Sequence, residues 1–190
     1  MKLRVSHTLL TLVRRGQWEQ AVNFYLHRAP MTSQAMEEGI MYDKKITEWV
    51  DLYKKLPDEF GGDTLLAPRP QEKIVVPFEK WDLVIVPDII DTPILWENKT
   101  GIKDSADYSN DFQIPMYFLG LDLAKIPVDR AIINHYNQHT NTLDRTLVWK
   151  SPQEIERAKN FICTLAPEIE TYFQDNGIFE MVLDNQKKLE

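Results

Sequence analysis

Cysteine is almost absent from this chain: Cys163 stands alone among 190 residues. A single thiol excludes an intramolecular disulfide and, within one chain, a cysteine-held zinc or iron–sulfur site. The histidines, His7, His27, His135 and His139, show no metal-ligand spacing. His135 and His139 straddle a strand end and read as structural or exposed. Long apolar runs are missing too, since none approaches the ~18–20 residues that a membrane helix needs. The opening MKLRVSHTLL has no long apolar core followed by a small-residue cleavage site. The expectation is an intracellular, cytoplasmic protein with no membrane contact. There is no P-loop, no dinucleotide fingerprint and no G-x-S-x-G.

Positive charge is also in short supply. Lysine and arginine number 22 against 29 acidic residues, a net charge of −7. That argues against a protein that coats nucleic acid through a basic surface. It leaves room for an enzyme whose carboxylates gather around divalent cations. Local pairs such as Arg14–Arg15, Lys44–Lys45 and Lys54–Lys55 suit either a phosphate backbone or a solvated helix face.

What is present is a core. Hydrophobic residues make up 43% and charged residues 27%, the balance of a globular domain, and the length fits one domain. Ser6 caps a helix with Leu9, Leu10 and Val13 on one face, and QWEQAVNFYLHR continues as a second helix until Pro30. Thr32 or Ser33 caps a third, which ends before Pro57. Residues 57–70 hold prolines and the Gly61–Gly62 pair and read as a loop. Lys73–Phe78, Leu83–Ile90 and Pro93–Asn98 are rich in Val and Ile and read as strands. KDSADYSND is polar and reads as a loop; a helix follows over Phe112–Leu123. Arg130–Tyr136 and Leu143–Trp149 form a second strand pair. Ser151-Pro152-Gln153-Glu154 opens a last helix, which Pro167 breaks or restarts. The order gives an α/β fold with a mixed central sheet flanked by helices. It divides into N-terminal helices over 6–56, a core over 70–175 and a tail over 178–190.

The stretch PDIIDTPILWENKTG concentrates polar residues in an otherwise greasy hairpin. A two-residue turn at Asp91–Thr92 sets Asp88 opposite Leu95 and Val86 opposite Glu97. Alternate residues of a strand share a face, so Asp88, Glu97 and Lys99 project from one side. Asp88 and Glu97 then lie diagonally, roughly 7–8 Å apart at the backbone. Two carboxylates so placed repel unless a cation lies between them, and oxygen ligands suit Mg²⁺ or Mn²⁺. A solvated strand carrying a weak Glu97–Lys99 ion pair is the plainer alternative.

These residues resemble the signature of the PD-(D/E)XK nuclease superfamily: Pro87-Asp88, eight residues, then Glu97-Asn98-Lys99. Thr100-Gly101 is similar to the ending of that signature in RecB-like and CRISPR-associated Cas-type exonucleases. Gln113-Ile-Pro-Met-Tyr117 resembles the Q-x-x-x-Y helix motif of the same branch. The resemblance implies a restriction-endonuclease-like core and a Mg²⁺- or Mn²⁺-dependent DNA exonuclease acting in recombination, repair or replication. It implies that Asp88 and Glu97 ligate the metal, with the backbone carbonyl of Asn98 as a further ligand. Lys99 would orient or activate the attacking water, and Gln113 and Tyr117 would support the site and contact DNA. Taken alone, Tyr117 reads more readily as a core aromatic; its pairing with Gln113, four residues earlier, lifts it above that. DNA is the implied partner, with a helicase or recombination protein beside it.

The chain departs from that pattern in two places. RecB-like members usually carry a histidine four residues after an early-helix glycine; here Gly39 is followed at that spacing by Asp43. Asp43 is either a metal ligand or an exposed charge beside Lys44, and Glu37 and Glu38 are weaker candidates. The cysteines of the iron–sulfur relatives are missing, so no cluster is expected. Asp82, fifteen residues before Glu97, competes with Asp88 as first acid and wins if the hairpin turn is centred nearer Asp88. An inactive nucleic-acid-binding or scaffold protein and a structure-selective endonuclease are the rival functions.

Overall fold

The computed structural model describes residues 2–26, 34–100 and 111–181, with the side chains of 34–40 left aside. Thr32, Ser33, His27, Gly101, most of the 103–111 loop and the side chains of Glu37 and Glu38 lie outside the described residues. The elements run β1 (Arg4–Val5), α1 (His7–Arg14), α2 (Trp18–Tyr25), α3 (Gln34–Tyr53), β2 (Arg69–Pro70), β3 (Ile74–Phe78) and β4 (Trp81–Ile85). They continue with β5 (Ile89–Asp91), β6 (Ile94–Thr100), α4 (Gln113–Leu123), β7 (Arg130–Asn137), β8 (Thr142–Trp149) and α5 (Pro152–Asp175). Mixed sheets flanked by helices are what the strand and helix composition predicts. Among the described residues, no helix is long and apolar enough to cross a membrane.

The strands divide between two sheets, one ordered β1-β4-β3 and one ordered β2-β5-β6-β7-β8. Both are mixed, with β1–β4 and β6–β7 parallel and the other pairs antiparallel. The single strand expected over Leu83–Ile90 is therefore corrected to two, β4 and β5, one in each sheet. Pro87 explains the break, because it has no N–H to offer a ladder. The chain crosses between sheets at Val86-Pro87-Asp88, and the groups freed there find other partners. Tyr117 Oη donates to the Val86 carbonyl at 3.0 Å, and the Gln71 N–H donates to the Asp88 carbonyl at 2.9 Å.

Two apolar layers sandwich β6. Leu95 joins Ile90, Ala131 and Ile133 in the larger core, under α4 and α5. Trp96 joins Ile89, Ile46, Val50 and Phe60 in a smaller core beneath α3. Alternation along β6 then points Glu97 and Lys99 to the α4 side and Asn98 to the α3 side. Helix α4 is buried nearly all round and approaches β4 closely at Gly120, where a Cβ would meet Ile85 Cδ1 at 2.6 Å.

Ser6 and Ser151 cap α1 and α5 as the sequence predicts, accepting from the N–H groups of Leu9 and Glu154. Pro167 does not break α5, contrary to expectation. A mid-helix proline costs ~3 kcal/mol, whereas burying a large apolar side chain contributes ~1.5–3 kcal/mol. Ile169 and Phe173 beyond it are both fully buried, which offsets the cost. The segment expected as a tail from residue 178 begins inside the core, with Ile178 buried and Phe179 packed against it.

Candidate active site

The hairpin that carries the acids closes one residue later than expected. Asp91 pairs with Ile94 and Ile90 with Leu95, so the turn is Thr92–Pro93 rather than Asp91–Thr92. Asp91 is held in the strand by a second job: its buried carboxylate accepts the N–H groups of Leu66 and Ala67, the shorter at 2.7 Å. Extending this register sets Asp88 level with Glu97 instead of diagonal to it. The pairing moved by an even number of residues, so the same-face relation survives the correction.

The acids are tied into the backbone. Asp88 Oδ2 accepts the Asn98 N–H at 2.7 Å, and Oδ1 accepts Gln71 Nε2 at 3.0 Å. Glu97 is only 1% exposed. Its Oε1 accepts Lys99 Nζ at 2.5 Å and Gln113 Nε2 at 2.8 Å. Among the described residues its Oε2 is buried with no hydrogen-bond partner, an arrangement that costs free energy unless a cation or solvent meets it.

Helix α4 supplies the supporting chain. Gln113 Nε2 also donates to Tyr117 Oη at 2.7 Å, and that hydroxyl donates onward to Val86. The motif spacing, one helical turn, puts both side chains on the face that meets Glu97. Tyr117 is buried; burial, then the charges of Glu97 and Asp88, keep its hydroxyl protonated well above the usual range. Tyr117 is thus a buried aromatic whose hydroxyl is linked through Gln113 to Glu97.

Electrostatics at the site are one-sided: the Glu97, Asp88 and Asp43 carboxylates all act on a single ammonium, Lys99. Burial, followed by the Asp88 charge, raises Glu97 up to about 7, against the pull of Lys99. Burial opposes the Lys99 charge, yet the neighbouring carboxylates outweigh it and hold the ammonium protonated. Asp43 on α3 is exposed to solvent, but it stands among enough protein for partial desolvation, then Asp88, to raise it to about 6. Among the described residues, no three His, Cys, Asp or Glu side chains lie close enough together to hold a metal. The donors that do converge are the Asp88 and Glu97 carboxylates. That set fits Mg²⁺, which keeps several waters and takes one or two protein carboxylates.

Asp82 is not brought to this site. It lies in β4 of the other sheet, between Arg4 and Pro77, with its N–H on the Leu3 carbonyl at 3.0 Å. His135 is buried rather than exposed, and stands beside Lys99 in the β6–β7 register. Asn134, its neighbour, pairs with Asn98 through Nδ2 to Oδ1 at 3.0 Å. Sequence reasoning weighed His135 but passed over Asn134; the signal was a polar pair, Asn134-His135, closing the apolar run Ala131-Ile132-Ile133.

No protein-family model and no curated protein sequence matches this chain. Solved structures do resemble it. A phage-related exonuclease from Haemophilus somnus 129PT aligns with a TM-score of 0.55 at 10% identity, over 92% of this chain and 97% of that one. The alkaline exonuclease LHK-Exo from Laribacter hongkongensis aligns at 0.52 and 12%, over 98% and 95%. LHK-Exo in complex with dAMP aligns at 0.54 and 13%, over 91% and 93%. At these identities the likeness concerns the fold: this chain has the architecture of those exonucleases along nearly its whole length.

Proposed function

We propose that the protein is a divalent-metal-dependent DNA nuclease, most simply an exonuclease, of the RecB-like or Cas-type branch to which its motifs are similar. The carrying observation is the buried Glu97 carboxylate, its Oε2 unmatched, beside Asp88 and Lys99. The exonuclease fold of the neighbours and the dAMP complex of one of them support the same reading.

Asp88, Glu97 and the Asn98 carbonyl would hold Mg²⁺ or Mn²⁺, with Asp43 adding negative charge from α3. Such an ion, when bound, stabilises charge on the scissile phosphate and favours ionisation of water. The chain's own residues do the rest. Gln113 fixes the Glu97 carboxylate through Oε1 and leaves Oε2 toward the ligand. Tyr117 fixes Gln113. Lys99, held protonated by the acids, orients the attacking water and meets the charge that grows on phosphate. In-line hydrolysis that leaves a 5′-phosphate and a 3′-hydroxyl is what the resemblance implies. End processing in recombination, repair or replication, beside a helicase or recombination protein, follows from the same resemblance.

One observation favours a second reading. Among the described residues no third His, Cys, Asp or Glu side chain joins Asp88 and Glu97, as in a protein that keeps the fold and binds nucleic acid without cutting it. Labelled linear single- and double-stranded DNA, beside covalently closed circles, separates the readings in Mg²⁺, Mn²⁺ or EDTA. Metal-dependent loss of linear DNA with intact circles is the expected result. Cleavage of circles indicates an endonuclease, and binding without cleavage in any metal overturns the enzyme.

A further inference from the structure

Behind the acid pair, on the α3 side of the sheet, two asparagines face each other inside the protein. Asn98 is 5% exposed and Asn134 is fully buried. They are direct partners in the parallel β6–β7 register, and Asn134 Nδ2 donates to Asn98 Oδ1 at 3.0 Å. Among the described residues, the other halves of both amides, Asn98 Nδ2 and Asn134 Oδ1, are buried with no hydrogen-bond partner. A pair of β-branched apolar residues would fill these positions without that penalty. The half-satisfied amides are therefore poor for stability, and one of them belongs to a residue whose main chain holds the Asp88 carboxylate.

Asn98 donates its N–H to Asp88 Oδ2. Asp88 itself lies just before β5, a strand of only 3 residues whose other neighbour, β2, has 2. Strand β7, by contrast, is 8 residues long and paired along its length on both sides, to β6 and to β8. We propose that Asn134 is a positioning residue: from the rigid β7 it sets the attitude of Asn98, which in turn aims the Asp88 carboxylate and the Asn98 carbonyl at the divalent cation. The proposal rests on the metal-dependent reading above. A plain register pin between β6 and β7 would use the same contact, but it would act on stability alone.

The test uses the full chain with Asn134→Leu, and the double variant Asn98→Val/Asn134→Val as a second probe should the first fail to fold. Mn²⁺ affinity is measured by calorimetry without DNA, the thermal midpoint in EDTA, and kcat and KM on end-labelled linear duplex. The expected result is a midpoint lowered in Asn134→Leu, which strands the Asn98 amide, but unchanged or raised in the double variant. Mn²⁺ affinity should fall about 10–100-fold in both, as for lost outer-shell support, and kcat should fall with KM kept. Mn²⁺ affinity equal to the parent's in the folded variants overturns the proposal, as does failure of both to fold. A parent that neither binds Mn²⁺ nor cleaves overturns the metal-dependent reading itself, and the proposal with it.

Discussion

The Asn98 main-chain N–H donates to Oδ2 of Asp88 at 2.7 Å, so the second acid's strand holds the first acid's carboxylate. Asp82 has no such link, being in the other sheet between β1 and β3. Asp88→Asn should therefore lower metal-dependent cleavage by more than the ~10–100-fold of an outer-shell change. Asp82→Asn should leave it unaltered. Initial rates on linear duplex, side by side, decide between the two aspartates.

Lys99 compensates a carboxylate that is buried at 1% exposure. Lys99→Met should abolish cleavage while DNA binding persists. It should also destabilise the fold by ~3–5 kcal/mol where Glu97 stays ionised, the usual cost of stranding a buried charge. At acid pH the loss should shrink, because Glu97 can take up a proton instead. Denaturant unfolding at an acid and an alkaline pH measures both.

Burial and the Asp88 charge raise Glu97 in the folded state up to about 7. The folded protein thus keeps a proton that the unfolded chain has released. A raised pKa contributes stability that is present at acid pH and is lost as pH rises through the folded value. In EDTA the thermal midpoint should fall between about pH 5 and about pH 8, with Asp43, raised to about 6, adding to the slope. Glu97→Gln should flatten the curve, and Mn²⁺ should restore the alkaline midpoint by binding the folded state.

Tyr117 Oη serves as acceptor for Gln113 and donor to Val86. Tyr117→Phe removes one hydrogen bond each from two part-buried groups, a cost of about 0.5–1.5 kcal/mol apiece. Cleavage should fall about 10–100-fold through loss of the grip on Gln113, with KM for DNA little changed. Thermal unfolding and steady-state kinetics on the one variant read the two effects.

Much of this was legible in the chain. The caps at Ser6 and Ser151, the helix read over Phe112–Leu123 and found over Gln113–Leu123, and the shared face of Asp88, Glu97 and Lys99 all follow from local periodicity and capping chemistry. Where reading failed, a distant contact had overridden a local preference. Asp91 looked like a turn residue, yet it stays in the strand because Leu66 and Ala67 donate to it. Pro167 looked like a helix end, yet Ile169 and Phe173 are buried beyond it. Asn134 carried no motif, and its significance appears only when β7 is laid against β6.

DNA hydrolysis by this protein should depend on a divalent cation shared by Asp88 and Glu97. The most direct measurement follows nucleotide release from an end-labelled linear duplex as Mg²⁺ or Mn²⁺ is added to metal-stripped parent and to Glu97→Gln. Release should rise and saturate with metal for the parent and stay at background for the variant. Equal release from both proteins, or none from the parent at any metal concentration, would contradict that dependence.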